Sequence, residues 1–449
     1  MTTTQRNLSL FAAVAALFLL TGLYQSWNLS LQILIIGILS SIMALGVNMQ
    51  WGYAGLFSTG IVGSVALGGL AVVVVSAKPV PEAFAAGGWQ LLGGLALGVA
   101  VIVAATLVYR AMKPGRARTL AVAALLIVGF FLYRTVFDGG VAAVEAFNPA
   151  AYGNIGGFGV PAYVEWPKGM ITWPVGLIAW PVGALFAGLA AWVIGKIALG
   201  LRSDYLAIAT LGIAEIVVVV LKSEDWLARG VKNVTGLPRP WPVPYEVDLQ
   251  ADPEFVARVT AWGYDPITAS TIFVKLLYVA IFGAVLLALI WLSERALNSP
   301  WGRMMRAIRD NEIAASAMGK NVTKRHLQIF IIGSAVVGLA GAMLTSMEGQ
   351  LVPGVYSPLR FTFLIWVMVI VGGSGNNWGS VLGGLLLGWL WLAVEYLGPN
   401  LMGYVTAALP PGDLKTHLID SAQHMRLVTL GIVLLLVLRF APRGLIPEK

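Results

Sequence analysis

Few side chains in this sequence are of a type that does covalent chemistry, and their spacing argues against most reactions. Both Gly-Lys pairs fail as phosphate loops. Gly195–Lys196 has Ala190, and Gly319–Lys320 has Ala314, where G-x-x-x-x-G-K-[ST] needs its first glycine. The chain therefore carries no recognisable site for hydrolysing ATP. His326, His417 and His424 lie too far apart in sequence to suggest a metal site, and cysteine is absent. No Ser/His/Asp or paired-carboxylate arrangement is persuasive, so no catalytic residue and no metal ligand is assigned. What remains is charge among apolar residues: Glu215, Glu395 and Lys275. A carboxylate in "LGIAEIVVVV" is costly to bury, so Glu215 either makes a helix–helix hydrogen bond or faces a wet substrate path.

The elements that must position these groups are set by composition. Hydrophobic residues make up 58% of the chain and charged ones 11%, with a mean hydropathy of +0.82. Such apolar runs cross a hydrocarbon core as helices, because lipid offers no partner to backbone N–H and C=O. The 52 glycines suit close packing of those helices. The expected fold is an all-α, polytopic membrane bundle of about 10–12 spans in one transmembrane domain over 1–449. Candidate spans are 8–24, 30–49, 55–77, 88–109, 119–137, 173–195, 205–221, 272–293, 326–347, 360–373, 379–397 and 425–440. The first is expected to be retained, since no clear small-residue cleavage site follows it. The Gly-broken stretch after Tyr53 could instead be re-entrant.

Charge orients the bundle. With both termini in the cytoplasm, the inner loops hold Arg110, Lys113, Arg116, Arg118, Lys196 and Arg202. Loop 294–325 adds Arg295, Arg303, Arg306, Arg309, Lys320, Lys324 and Arg325, whereas short outer loops hold single basic residues such as Lys78, Lys168 and Lys415. The net charge of +8 is thus a membrane-topology signal rather than one for nucleic acid. Two outer excursions, 138–172 and 222–271, are either long connectors, a cap over a path, or a docking face for an external partner.

The inner stretch "SPWGRMMRAIRDNEIAASAMGKNVTKRH", 299–326, has its own logic. Ser299 and Pro300 start a helix, and Trp301, Met304, Met305 and Ile308 form one apolar stripe. Arg303, Arg306 and Arg309 take other faces. Gly319 can end the helical stretch and Thr323 can cap the next helix. The segment could lie on lipid headgroups, be a plain solvated loop, or dock on a cytoplasmic partner.

Two Gly-rich turns, "WGYAGLFSTG" and "GGSGNNWGS", break apolar runs. Their Gly52, Gly55, Gly372, Gly373 and Gly375 serve packing or a gate. Tyr53, Ser58, Thr59, Ser374, Asn376 and Asn377 add polar atoms there, and with Thr210 and Glu215 the first three are candidates for the substrate path.

Glu312, Ala314, Ala315 and Gly319 resemble the EAA-loop signature of ABC importer permeases, with one extra residue after the Glu. The stretch from Ser299 to Met343 is similar throughout to branched-chain amino-acid ABC transporter permeases of the LivM type. So are "ALGVNMQWGYAGLFSTG" (44–60), "SDYLAIATLGIAEIVVVVL" (203–221), "NVTGLPRP" (233–240), "VGGSGNNWGSVLGG" (371–384) and "PRGLI" (442–446), in family order. The resemblance implies a subunit in a bacterial inner membrane. It implies two cytoplasmic ABC ATPases holding ATP and Mg, a second related permease and a periplasmic solute-binding protein, with no cofactor on this chain. The substrate would be a branched-chain or related amino acid, or urea, a short amide or an aromatic acid. Residues 299–322 would carry ATPase closure to the gate, and Arg306→Glu with Ile308→Asp would then uncouple transport. Two departures bear on the substrate: the His that many relatives have after Gly-Tyr-Ala-Gly is missing, and 78–172 is enlarged. The competing reading is an ion-coupled carrier working alone, with a membrane enzyme third.

Overall fold

The computed structural model describes residues 3–147, 154–165, 172–410 and 412–448. Lys168 and the middle of the first excursion lie outside the described residues. The chain folds as an all-α membrane bundle. Among the described residues, nine helices are long and apolar enough to cross a membrane; two shorter apolar ones and a helix pair bent by 59° join them. Every expected span holds a helix, but two are not simple.

Helix α1 (Thr3–Tyr24) turns at once into α2 (Trp27–Asn48), which Ser26 caps through the Leu29 N–H and a π-helical turn, Met49–Tyr53, prolongs. Residues 55–60 form no regular secondary structure, and α3 (Ile61–Ser76) starts only after Gly60, so the expected span from 55 is a non-helical entry followed by a short helix. Helices α4 (Trp89–Ala111) and α5 (Arg116–Ala146) form a hairpin; α5 runs into the expected excursion at 138. Then come α6 (Ala179–Ala198), α7 (Ser203–Ser223) and, after an irregular stretch, α8 (Pro266–Asn298). Asp265 caps α8 by accepting from the Thr268 N–H and hydroxyl, which holds its carboxyl below the usual range. Helix α9 (Pro300–Asp310) and a short helix, Glu312–Ala317, precede α10 (Val322–Glu348). Another π-turn, Leu359–Phe363, leads into α11 (Leu364–Gly372); α12 (Asn377–Val405) and α13 (Arg426–Phe440) complete the bundle.

The core forms around α10, whose small residues let three helices approach it. A Cβ on Gly46 of α2 would come 2.7 Å from the Gly333 carbonyl oxygen, and one on Gly183 of α6 would come 2.7 Å from the Ala342 Cβ. On α3, Gly68 faces the Gly338 carbonyl. Such backbone approach substitutes dispersion for the hydrophobic drive that lipid removes. The α4–α5 hairpin stands apart, with its own small core of Leu91, Phe137 and Val144 on Trp226.

Two short strand pairs close the end opposite α9. β1 (Val164–Glu165) pairs with β2 (Thr172–Trp173), and β3 (Val234–Thr235) with β4 (Gln350–Leu351), both antiparallel. At the other end, α9, the start of α12 and the 441–448 segment meet, and Phe11 of α1 packs edge-on against Trp378 there.

Candidate functional site

The α9 segment is built as the sequence suggests at its start and differently on its faces. Ser299 accepts the Gly302 N–H at 3.3 Å, and Pro300 occupies the first turn, where no N–H is needed. Met305 and Ile308, expected to await a partner, are 0% and 1% exposed and packed into the chain's own bundle. Trp301 and Met304 are half-buried beside them. The apolar stripe therefore seats α9 on its own membrane domain. This corrects the expected uncoupling by Arg306→Glu with Ile308→Asp: an aspartate at 308 would unseat the helix rather than spare the fold. The face left exposed carries Arg303, Glu312 and two apolar side chains, Ile313 and Met318, at 83% and 80%. Ala315 is half-buried and Gly319 exposed, with positive φ of 77°. Asn321, not Thr323, caps α10, accepting the Lys324 N–H at 2.9 Å. Asn311 does the same for the short helix through Ala314.

Behind α9 lies a buried polar node. Tyr53 donates to Asn377 Oδ1, which also accepts from Asn48 Nδ2 at 3.3 Å. Asn377 Nδ2 donates to Glu294 Oε1 at 2.9 Å, and Asn48 Oδ1 accepts the Gly375 N–H at 2.8 Å. Arg309 donates to the Gly52 carbonyl and to Glu448 Oε2 at 2.8 Å. Burial would lower the Arg309 pKa, but the Glu448 and Asp310 carboxylates outweigh it and raise it. All five singled-out glycines converge here. A Cβ on Gly52 would be 2.5 Å from the Gly375 nitrogen, and one on Gly55 would be 3.3 Å from Arg309 Cγ. Gly373 and Gly375 have φ of 118° and 82°, which a side chain would strain. The π-turn at the end of α2 supplies the extra residue that brings Tyr53 into the node.

Asn377→Leu should therefore leave the Tyr53 hydroxyl, the Asn48 amide and Glu294 short of partners in a site 1% exposed, at a cost of about 2–5 kcal/mol. A melt of the detergent-solubilised chain checks this; an unchanged midpoint would remove the node as a structural element.

A second polar cluster sits deeper. Thr59 N–H donates to Thr210 Oγ1 at 3.1 Å, and Thr59 Oγ1 to the Ala207 carbonyl at 2.6 Å. Ser58, Thr210, Gln50 and Ser334 line a cavity of about 20 Å³, room for roughly one water. Gln50 donates to the Phe330 carbonyl and Ser334. Thus Ser58, Thr59 and Thr210 come together, while Tyr53 belongs to the node. Glu215 joins neither: it is half-exposed, on the edge between the buried Ala214 and the exposed Ile208 and Ile216, with no hydrogen bond among the described residues. Glu395 pairs with Arg426 at 2.9 Å, and Lys275 donates to the Asn28 carbonyl at 3.1 Å.

At the opposite end, the two excursions meet across a groove of about 530 Å³ lined by Tyr163, Glu165, Arg239, Trp241, Tyr245 and Asp248. Arg239 is held by Glu246 at 2.8 Å and stacks over Tyr245.

Comparison with known proteins decides the family. The permease component of the branched-chain amino acid transport system matches residues 151–438. The chain belongs to this permease family. Helices α4 and α5 precede the matched region. The chain is 27% identical over 248 residues to the probable branched-chain amino acid transport permease protein LivM of Methanocaldococcus jannaschii, covering 55% of this chain and 61% of that one. It is 31% identical over 199 residues to the high-affinity branched-chain amino acid transport system permease proteins LivM of Salmonella typhimurium and Escherichia coli, covering 41% of this chain and 43% of each. The chain thus spans less than two thirds of the length of these relatives. No solved structure matches it.

Sequence reasoning missed Glu294, Glu448 and Asn48 as node members. Asn48 and the tail lay in or beside blocks already singled out, so buried polarity in an apolar run was the available signal. Glu294 had none, since a carboxylate at a span end usually meets water.

Proposed function

We propose that this chain is the membrane-spanning permease subunit of an ABC importer that moves branched-chain or related amino acids into a bacterial cell across its inner membrane. The observation that carries the reading is α9 in a chain of this family. One side of it is bonded to the bundle through Arg309, and the adjoining short helix offers Ile313 and Met318 outward. Two ATPase subunits, with ATP and Mg, take that outer side, and their closure reaches Tyr53 and Asn377 through Arg309 and the Gly52 carbonyl. The α9 end then faces the cytoplasm, in keeping with its Arg and Lys load.

The second permease packs along α7. A carboxylate turned to lipid costs about 2.5–3.5 kcal/mol at a helix centre, so Glu215 belongs on a wet path between two subunits rather than against acyl chains. Ser58, Thr59 and Thr210 lie one helix face away and close that path inward. The outer groove, with Trp241 and Tyr245, receives the solute-binding protein. Urea or a short amide would use the same route.

Purification of the complex tests this. ATPase subunits should co-purify and uptake should be vanadate-sensitive. Ionophore-sensitive uptake by the isolated chain would overturn the proposal.

A further inference from the structure

The 441–448 segment is threaded into the node rather than hanging from α13. The Leu445 and Ile446 N–H groups donate to the Val371 and Gly372 carbonyls at 2.9 and 2.8 Å, a strand-like seat on the end of α11. Ile446 is 1% exposed and belongs to a buried apolar cluster with Val14, Phe18, Ile33 and Leu382 that joins the segment to α1, α2 and α12. The Pro447 carbonyl accepts from Asn376 Nδ2 at 3.1 Å in the α11–α12 turn. A Cβ on Gly373 would run into the Ile446 carbonyl, and Gly375, held at a left-handed φ of 82°, lies beneath the Glu448 carboxylate. Finally Glu448 Oε2 meets Arg309 of α9 at 2.8 Å, with both side chains under a third exposed, 29% and 23%.

From these contacts we infer that 441–448 is a strap fastening α9 to the α11–α12 turn, with Glu448 the positioning residue that holds Arg309 on the Gly52 carbonyl. Without the strap, α9 touches the node through Arg309 alone among its basic side chains; with it, a displacement of α9 is passed to α1, α2, α11 and α12 at once. Gly373 is then explained by the backbone that crosses it. Glu448 is not a group that touches solute. It acts through Arg309, and its role in transport rests on the importer reading, while the strap's seating does not.

The absence of cysteine in the sequence permits a direct test in the assembled transporter. Pro447→Cys keeps the carbonyl that Asn376 binds and should label slowly with a membrane-impermeant maleimide in inside-out vesicles. Adding Glu448→Gln should speed labelling about tenfold, the value of a lost charge-assisted bond. In the same vesicles Glu448→Gln without the cysteine should lower solute moved per ATP hydrolysed. The exchange Arg309→Glu with Glu448→Arg should recover part of that ratio relative to either change alone. An unchanged labelling rate would overturn the strap, and faster labelling with an unaltered transport-to-hydrolysis ratio would overturn the role of Glu448 in transport. Failure of the importer reading is seen separately, when a cysteine at Met318 forms no cross-link to an ATPase subunit.

Discussion

Ile313→Asp with Met318→Asp is expected to strip the ATPase subunits from the purified complex while leaving the membrane chain folded. Both side chains are more than three-quarters exposed, so the isolated chain loses nothing when they become polar. In a docked complex they are the two large apolar groups available on that face. Apolar contacts at an interface centre contribute about 1–2 kcal/mol each, so losing two weakens docking by about 3 kcal/mol, roughly a hundredfold in affinity. The measurement is the ATPase-to-permease ratio after affinity purification, alongside the size-exclusion profile of the chain itself. Normal stoichiometry in the double variant would remove this face as the docking surface. Ile308→Asp makes the useful contrast: at 1% exposed it would bury a charge within the chain, and folded yield rather than stoichiometry should fall.

Gly372→Ala is expected to abolish stable folding. Its added methyl would overlap the Gly379 carbonyl oxygen, and Gly383 faces the Met368 carbonyl in the same way one turn on. Helices α11 and α12 therefore pack backbone on backbone, and neither side of the contact can yield as a flexible side chain would. Overpacking of this sort costs about 3 kcal/mol or more, to which the displaced Ile446 N–H bond to Gly372 adds. Gly283→Ala on α8 is the control, since nothing lies within 4 Å of its position. Fluorescence-detected size exclusion after heating should show Gly283→Ala melting like the parent and Gly372→Ala aggregated. Equal melting would mean that the α11–α12 contact is looser than described.

How much of this could be seen in the residues depends on which physical signal each part leaves. Span positions were legible because twenty apolar residues have no other use, and the Ser299–Pro300 start because capping is local. Faces were not. The stripe from Trp301 to Ile308 is equally what a helix needs to sit on its own bundle or on a neighbour, and only the fold tells which. The convergence of Gly52 with Gly375, more than three hundred residues apart, is a tertiary fact with no local trace. Thr59 and Thr210 meet for the same reason. The cap of α10 passed from Thr323 to Asn321 because helix ends shift by a residue or two and asparagine caps well.

The α4–α5 hairpin has a mechanical consequence. It leans on the remaining chain around Ile155 and Trp226, near one membrane surface. It enlarges the circumference offered to acyl chains without thickening the interior. A thicker or thinner bilayer would be met by swivelling of this outrigger about the tryptophan, sparing the glycine-lined centre from the distortion.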